Sequence, residues 1–143
     1  MKKEHCPFCH IIDGKETVDK IYEDDLVMAF LHIAPVNKGH TIIVPRQHYA
    51  GMSAVDKKSL TRLMECAAII ATAAMRAVKA EGYNLLVSNG NCAGQVIQHA
   101  AIEAIPRFTD DAVILPSGTI PYSNKDEKKE ILLKMKNRIA SRL

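Results

Sequence analysis

The clearest rhythm in the chain lies between Asp56 and Glu81. There Leu60, Leu63, Met64, Ala67, Ile70, Ala71, Ala74, Met75 and Val78 recur at spacings of three and four. That period predicts one long α-helix with an apolar stripe, capped by Asp56 and stopped at Gly82. Its many alanines permit close packing on a sheet. The flanking segments have strand character instead. Lys20–Glu23 and Leu26–Ile33 read as a hairpin about Asp24-Asp25, and Pro35 ends its second arm. His40–Val44 is a β-branched run between Gly39 and Pro45, which predicts a third strand. Tyr83–Ser88 predicts a fourth, and Gln95–Ile105, after the turn-rich loop Asn89–Gly94, a fifth that ends at Pro106. A helical turn over residues 9–13 closes at Asp13-Gly14. An irregular stretch with Pro116, Gly118 and Pro121 leads to a last helix, about Lys125 to Leu143, with Ile131, Leu132, Met135, Ile139 and Leu143 on one side. Strands, one long helix and more strands predict an α+β fold: a five-stranded antiparallel sheet with a long helix and a C-terminal helix.

Composition narrows the class. At 143 residues, 48% of them hydrophobic, the chain fits one domain over 1–143 with a sizeable core. It has no run of 18 apolar residues, so no membrane span is expected, and Met1–Pro7 lacks the apolar region of a secretory signal. The expectation is a cytoplasmic protein, with the nucleus as a second compartment. The net charge of +3 is uneven: residues 125–143 hold seven Lys/Arg against three Asp/Glu, leaving the rest at −1. A basic tail on a neutral body argues against a nucleic-acid-binding protein. The tail helix can serve a partner, but a solvated face is the commoner role of such a helix.

Four cysteines in a reducing compartment do not predict two disulfides. Cys66 falls in the apolar stripe of the long helix, and Cys92 sits in the Gly/Asn-rich loop with no neighbour to stabilise a thiolate. Cys6 and Cys9 form Cys-x-x-Cys, a spacing shared by redox and metal sites. A redox motif follows a strand and opens a long helix; this one stands at residue 6 with no strand before it, which disfavours redox chemistry. A structural zinc site needs two further ligands. His5, His10, His32, His40, His48 and His99 are on offer, and spacing alone leaves the choice open.

Several segments together resemble the histidine triad (HIT) family of nucleotide-binding proteins. They are Cys6-Pro7-Phe8-Cys9-His10-Ile11-Ile12, Ala29-Phe30-Leu31-His32-Ile33-Ala34-Pro35, Lys38-Gly39-His40-Thr41-Ile42-Ile43-Val44-Pro45-Arg46-Gln47-His48, Ala93-Gly94-Gln95-Val96-Ile97-Gln98-His99 and Ile105-Pro106-Arg107-Phe108. They occur in order over residues 6–108, about 70% of the chain, with residues 125–143 as a C-terminal extension. The resemblance implies the HIT-like fold and a homodimer joined through the long helix and the Tyr83–Ser88 strand. It also implies a structural zinc ion held by Cys6, Cys9, His48 and His99.

The family takes its name from a strand reading His-φ-His-φ-His-φ-φ. Aligned on Gly94-Gln95 and Pro106-Arg107, this chain reads His99-Ala100-Ala101-Ile102-Glu103-Ala104-Ile105. Family enzymes cleave an α-phosphate bond through a nucleotidyl–histidine intermediate on the middle histidine, and that position is Ala101. A methyl group has no lone pair, and loss of a covalent nucleophile costs on the order of 10⁴–10⁶ in turnover. The third position is Glu103. A carboxylate ~5 Å from a phosphate charge, at an effective dielectric near 20, repels it by about 3 kcal/mol, roughly two orders of magnitude in affinity. His32 replaces an Asp for the ribose hydroxyls, Ser88 an Asn of the phosphate loop and Val96 a Ser that contacts phosphate; Gln95 is kept. Changes at five positions of one pocket, beside intact metal ligands, imply a naturally degenerate site. A His32–Glu103 pair across it would satisfy both groups, though independent drift explains the same residues.

The leading expectation is a catalytically silent, zinc-containing family member that still takes a purine nucleoside or nucleotide. Phe8, Ile12, Phe30 and Ile33 would line the base pocket, with His32, Ser88, Gln95 and Val96 at its polar end; for each apolar residue singly, core packing is the plainer role. The alternatives are a residual nucleoside-phosphate hydrolase using Glu103 or His99, with Arg107 alone for the developing charge, and a non-catalytic interaction module.

Overall fold

The computed structural model describes residues 4–113 and 119–140. The chain divides into two compact units, Met1–Val113 and Ile114–Leu143. In the first, α1 (Pro7–Ile12), β1 (Lys20–Glu23), β2 (Val27–Leu31) and β3 (Thr41–Pro45) precede the long helix α2 (Lys57–Ala77), which is followed by β4 (Gly82–Leu86) and β5 (Ile102–Arg107). The strands form one sheet in the order β1-β2-β3-β5-β4, with every neighbouring pair antiparallel. The second unit contains α3 (Lys125–Ile139). Pro116 and Gly118 of the irregular stretch, and the expected helix end at Leu143, lie outside the described residues.

Both faces of the central strands are covered, which explains why β2 and β3 read as continuous apolar runs. On one face Val27, Ala29, Ile43, Ile102 and Ala104 pack against Leu63, Cys66, Ala67, Ile70 and Ala71 of α2. On the other, Met28, Phe30, Ile42 and Val44 pack against Phe8, Cys9 and Ile12. Register fixes this alternation: Phe30 faces Ile42, and Ile42 in turn faces Glu103 of β5. Glu103 therefore shares the α1 side of the sheet with Phe30 and Ile42.

Two boundaries of the first unit differ by four residues or more from the sequence reading. The helix ends at Ala77, before Gly82, because Lys79 adopts a left-handed conformation (φ 57°) and the Ala80 N–H closes back on the Met75 carbonyl at 2.8 Å. Gly82 instead opens β4. The fifth strand starts at Ile102 rather than Gln95, and it runs through Pro106. Residues 95–101 bond elsewhere: the Ala100 N–H reaches the Tyr49 carbonyl at 2.7 Å.

Candidate metal centre and ligand cleft

Cys6 stands just before α1 with an extended backbone, and Pro7 at the first helical position starts the turn without needing a hydrogen-bond donor. One helical turn then carries Cys9 round beside Cys6. His48 follows β3, and His99 arrives from the segment before β5. The Cys6 Sγ lies 3.4 Å from His99 Nδ1, and the Cys9 Sγ lies 3.3 Å from His48 Nδ1 and 3.6 Å from His99 Nδ1. Metal–sulfur bonds of ~2.3 Å and metal–nitrogen bonds of ~2.05 Å at a tetrahedral angle put S and N about 3.6 Å apart. The four donor atoms lie within 4.8 Å of one another, three of the four residues being buried. The two imidazoles cross at 88° with centroids 5.0 Å apart. His99 also has the outer partner that a metal-bound imidazole takes, since its Nε2 sits 2.9 Å from the Pro45 carbonyl. Two sulfurs and two nitrogens can hold a metal ion here without rearrangement. Cys66 and Cys92 stay apart from this cluster: burial pushes the Cys66 thiol up, and Cys92 is exposed.

A cleft of about 710 Å³ opens between α1, the sheet and the 88–97 loop. The rings of Phe8 and Phe30 meet edge to face at 5.8 Å, and Ile42 continues this apolar wall. Phe8 also touches the His99 ring at 5.8 Å, so the metal cluster backs the cleft. Of the residues proposed as ligand contacts, Phe8, Phe30, His32, Ile33, Ser88, Gln95 and Val96 line it. Ile12 does not; it is buried in the core behind. Ile33 and Val96 lie at the rim, almost wholly exposed. Gln95 has both amide protons engaged by the Ala50 and Ile97 carbonyls (2.7 and 3.1 Å), while its oxygen accepts from the Gly90 N–H at 2.8 Å, so it fastens loops together. Ala101 forms part of the wall.

At the polar end, Glu103 meets a histidine, but the partner is His40 and not His32. His40 Nε2 lies 2.8 Å from Glu103 Oε2, and the His32 ring stacks on His40 at 4.4 Å between centroids. The hydrogen bond from His40 outweighs burial and holds the Glu103 carboxyl below its ordinary range. Burial, then the neighbouring His40, pushes the His32 imidazole down. Each ring accepts a backbone N–H at Nδ1, from Ala34 at 2.9 Å for His32 and from Val36 at 3.3 Å for His40. A neutral imidazole that accepts at Nδ1 carries its proton on Nε2. His40 therefore donates to Glu103. Sequence reasoning passed over His40, though a signal existed: with Leu31 opposite Thr41, the hairpin sets His32 opposite His40.

Among the described residues lining the cleft there is no lysine or arginine, while Glu16 and Glu103 contribute two carboxylates. Arg107 lies outside it, spent on Asp111, on Asn84 at 2.7 Å and on the Val113 carbonyl.

Residues 13–110 match the family model for the HIT domain. The adenosine 5'-monophosphoramidase hnt1 of Schizosaccharomyces pombe is 36% identical over 106 residues, 74% of this chain and 77% of that protein. The solved structure of SMU.412c from Streptococcus mutans superposes with a TM-score of 0.89 at 29% identity, covering 96% of this chain and 87% of the other. A zinc-bound histidine triad family protein from Mycobacterium smegmatis superposes with a TM-score of 0.72 at 25% identity, covering 96% of both chains.

Proposed function

The chain belongs to the HIT domain family, and from that membership we propose that it is a zinc-bearing, nucleotide-binding member that has lost nucleotidyl transfer. The observation that carries this reading is Ala101 in the cleft wall, at the position where the family's chemistry needs an attacking imidazole. Neither proposed substitute rescues the reaction. His99 has Nδ1 turned to the two thiols and Nε2 on the Pro45 carbonyl, so no nitrogen is left for attack. Glu103 is a carboxylate bonded to His40, with no lysine or arginine among the described lining residues to hold a phosphate beside it. The yeast relative named for phosphoramidase activity thus marks the chemistry this chain has left, on a scaffold it has retained.

Zinc is the ion the four-residue cluster fits. Two thiolates and two imidazoles at tetrahedral spacing form a closed set with no position left for water, which makes the site structural. The ion ties α1 to the end of β3 and the approach to β5. The homodimer is part of the same reading, supported by exposed Leu60 and Met64 on α2 and Tyr83 on β4.

The test is product release from adenosine 5′-phosphoramidate and from a dinucleoside polyphosphate, with zinc-loaded protein beside an Ala101→His, Glu103→His double variant. Silence of the wild type is the expected result, with a gain on restoring both histidines. Turnover by the wild type at rates typical of enzymes refutes the lost-nucleophile reading and makes Glu103 the residue to substitute next.

A further inference from the structure

Three side chains at the end of the cleft, His32, His40 and Glu103, bring donor atoms within 4.8 Å of one another. By residue type they look like a second metal site, two histidines and a carboxylate with open positions. Their hydrogen bonds say otherwise. A metal on Nε2 requires a proton on Nδ1, as with the mirrored arrangement at His99, where Nδ1 faces the metal cluster and the outer Nε2 sits on a carbonyl. At His32 and His40 the outer Nδ1 instead receives a backbone N–H from Ala34 or Val36. In the neutral rings both Nε2 atoms therefore carry protons; His40, buried behind the cleft, donates to Glu103, while His32 lines the cleft. Burial, then the neighbouring His40, pushes the His32 imidazole down, so the ring that lines the cleft offers a hydrogen-bond donor rather than a counter-ion.

Resting on the reading of the cleft as a nucleoside pocket, we infer that it selects an uncharged nucleoside over its 5′-phosphate, with Glu103 accepting from a ligand hydroxyl and His32 donating through Nε2. Glu103 has one oxygen on His40, and its side chain is 32% exposed, so the carboxylate remains open to the cleft. Phe8, Phe30 and Ile42 provide an apolar wall for a base. A free 5′-hydroxyl gives the carboxylate a proton donor, whereas a phosphate brings two negative charges to an end that already holds one and, among the described residues, has no lysine or arginine lining it. The substitutions that remove catalysis thereby also turn a phosphate-accepting end into a hydroxyl-accepting one.

Isothermal titration of the zinc-loaded full chain with adenosine, 5′-AMP and 5′-amino-5′-deoxyadenosine reads this directly. The expected order is amine tightest, then hydroxyl, with the phosphate weaker than the hydroxyl by about 100-fold. Glu103→Gln should erase most of that spread, weakening the amine and the hydroxyl and tightening the phosphate. The order among the three ligands needs only the wild type, so the inference stays testable if the variant does not fold. Equal binding of AMP and adenosine overturns the inference and leaves the nucleoside-pocket reading standing. Binding of none of the three overturns both. A second zinc per chain in native mass spectrometry, lost in Glu103→Gln, overturns the inference in favour of a metal site.

Discussion

At the turn between β1 and β2, Asp24 accepts the N–H groups of Leu26 and Val27 at 2.8 and 2.9 Å, the Tyr22 hydroxyl at 3.0 Å and the Arg62 Nε at 2.7 Å. Burial pushes its carboxyl up, but the Arg62 guanidinium and the two backbone donors outweigh that and hold it well below the ordinary value of 3.8. A carboxyl with a depressed folded-state pKa contributes its full stability above the unfolded value and loses it as the pH falls toward the folded one. Unfolding free energy should therefore drop below pH 3.8 more steeply in the wild type than in Asp24→Asn. Urea melts between pH 2 and 6 check this, and parallel curves would show that Asp24 carries no acid-sensitive stability. Residues differed in how far the sequence revealed them. The Cys6/Cys9 spacing left a redox or a metal site open, and only its place ahead of any strand favoured metal. His48 and His99 needed the family pattern, since no local spacing links ligands 51 residues apart. The Glu103 partner was left open between a pair with His32 and independent drift, because strand register decides which histidine it meets.

Elements were legible where their own periodicity decided them. The helix over α2 and the strand Lys20–Glu23 follow from local pattern. The fifth strand was drawn seven residues too early, because Gln95–Ala101 has strand-like composition but spends its bonds on loop contacts and the metal cluster. Pro106 read as a terminator, yet it sits within the β4–β5 ladder opposite Tyr83. The metal cluster is itself an element-level device. α1 has only six residues, too few to persist as an isolated helix, and in the proposed zinc site Cys9 within it and Cys6 just before it would fasten it to the strands. Cys9→Ser should release the metal and destabilise the fold by on the order of 3 kcal/mol, roughly 6–12 °C in Tm. Metal analysis and a thermal melt of the purified variant measure both. Unchanged metal content together with an unchanged Tm would remove zinc from this account.

For the whole molecule, the first unit contains the sheet, the metal cluster and the cleft, all within Met1–Val113. Among the described residues no helix is long and apolar enough to cross a membrane. The proposed homodimer belongs to this scale. Sedimentation should find two chains for the wild type and one for Met64→Glu or Tyr83→Glu; a monomeric wild type would refute the pairing. The two outer strands also differ from each other. β1 is four residues long, its pairing with β2 slips between Lys20 and Tyr22, and Lys20, Glu23 and Arg46 set charges along it. β4 carries Gly82-Tyr83-Asn84-Leu85-Leu86, with no charged side chain. Growth into a fibre requires a receptive border at each end of every unit, and here one border is blunted. Joining at β4, as the proposed homodimer requires, would use up the receptive border of both copies and leave no template from which a filament could lengthen.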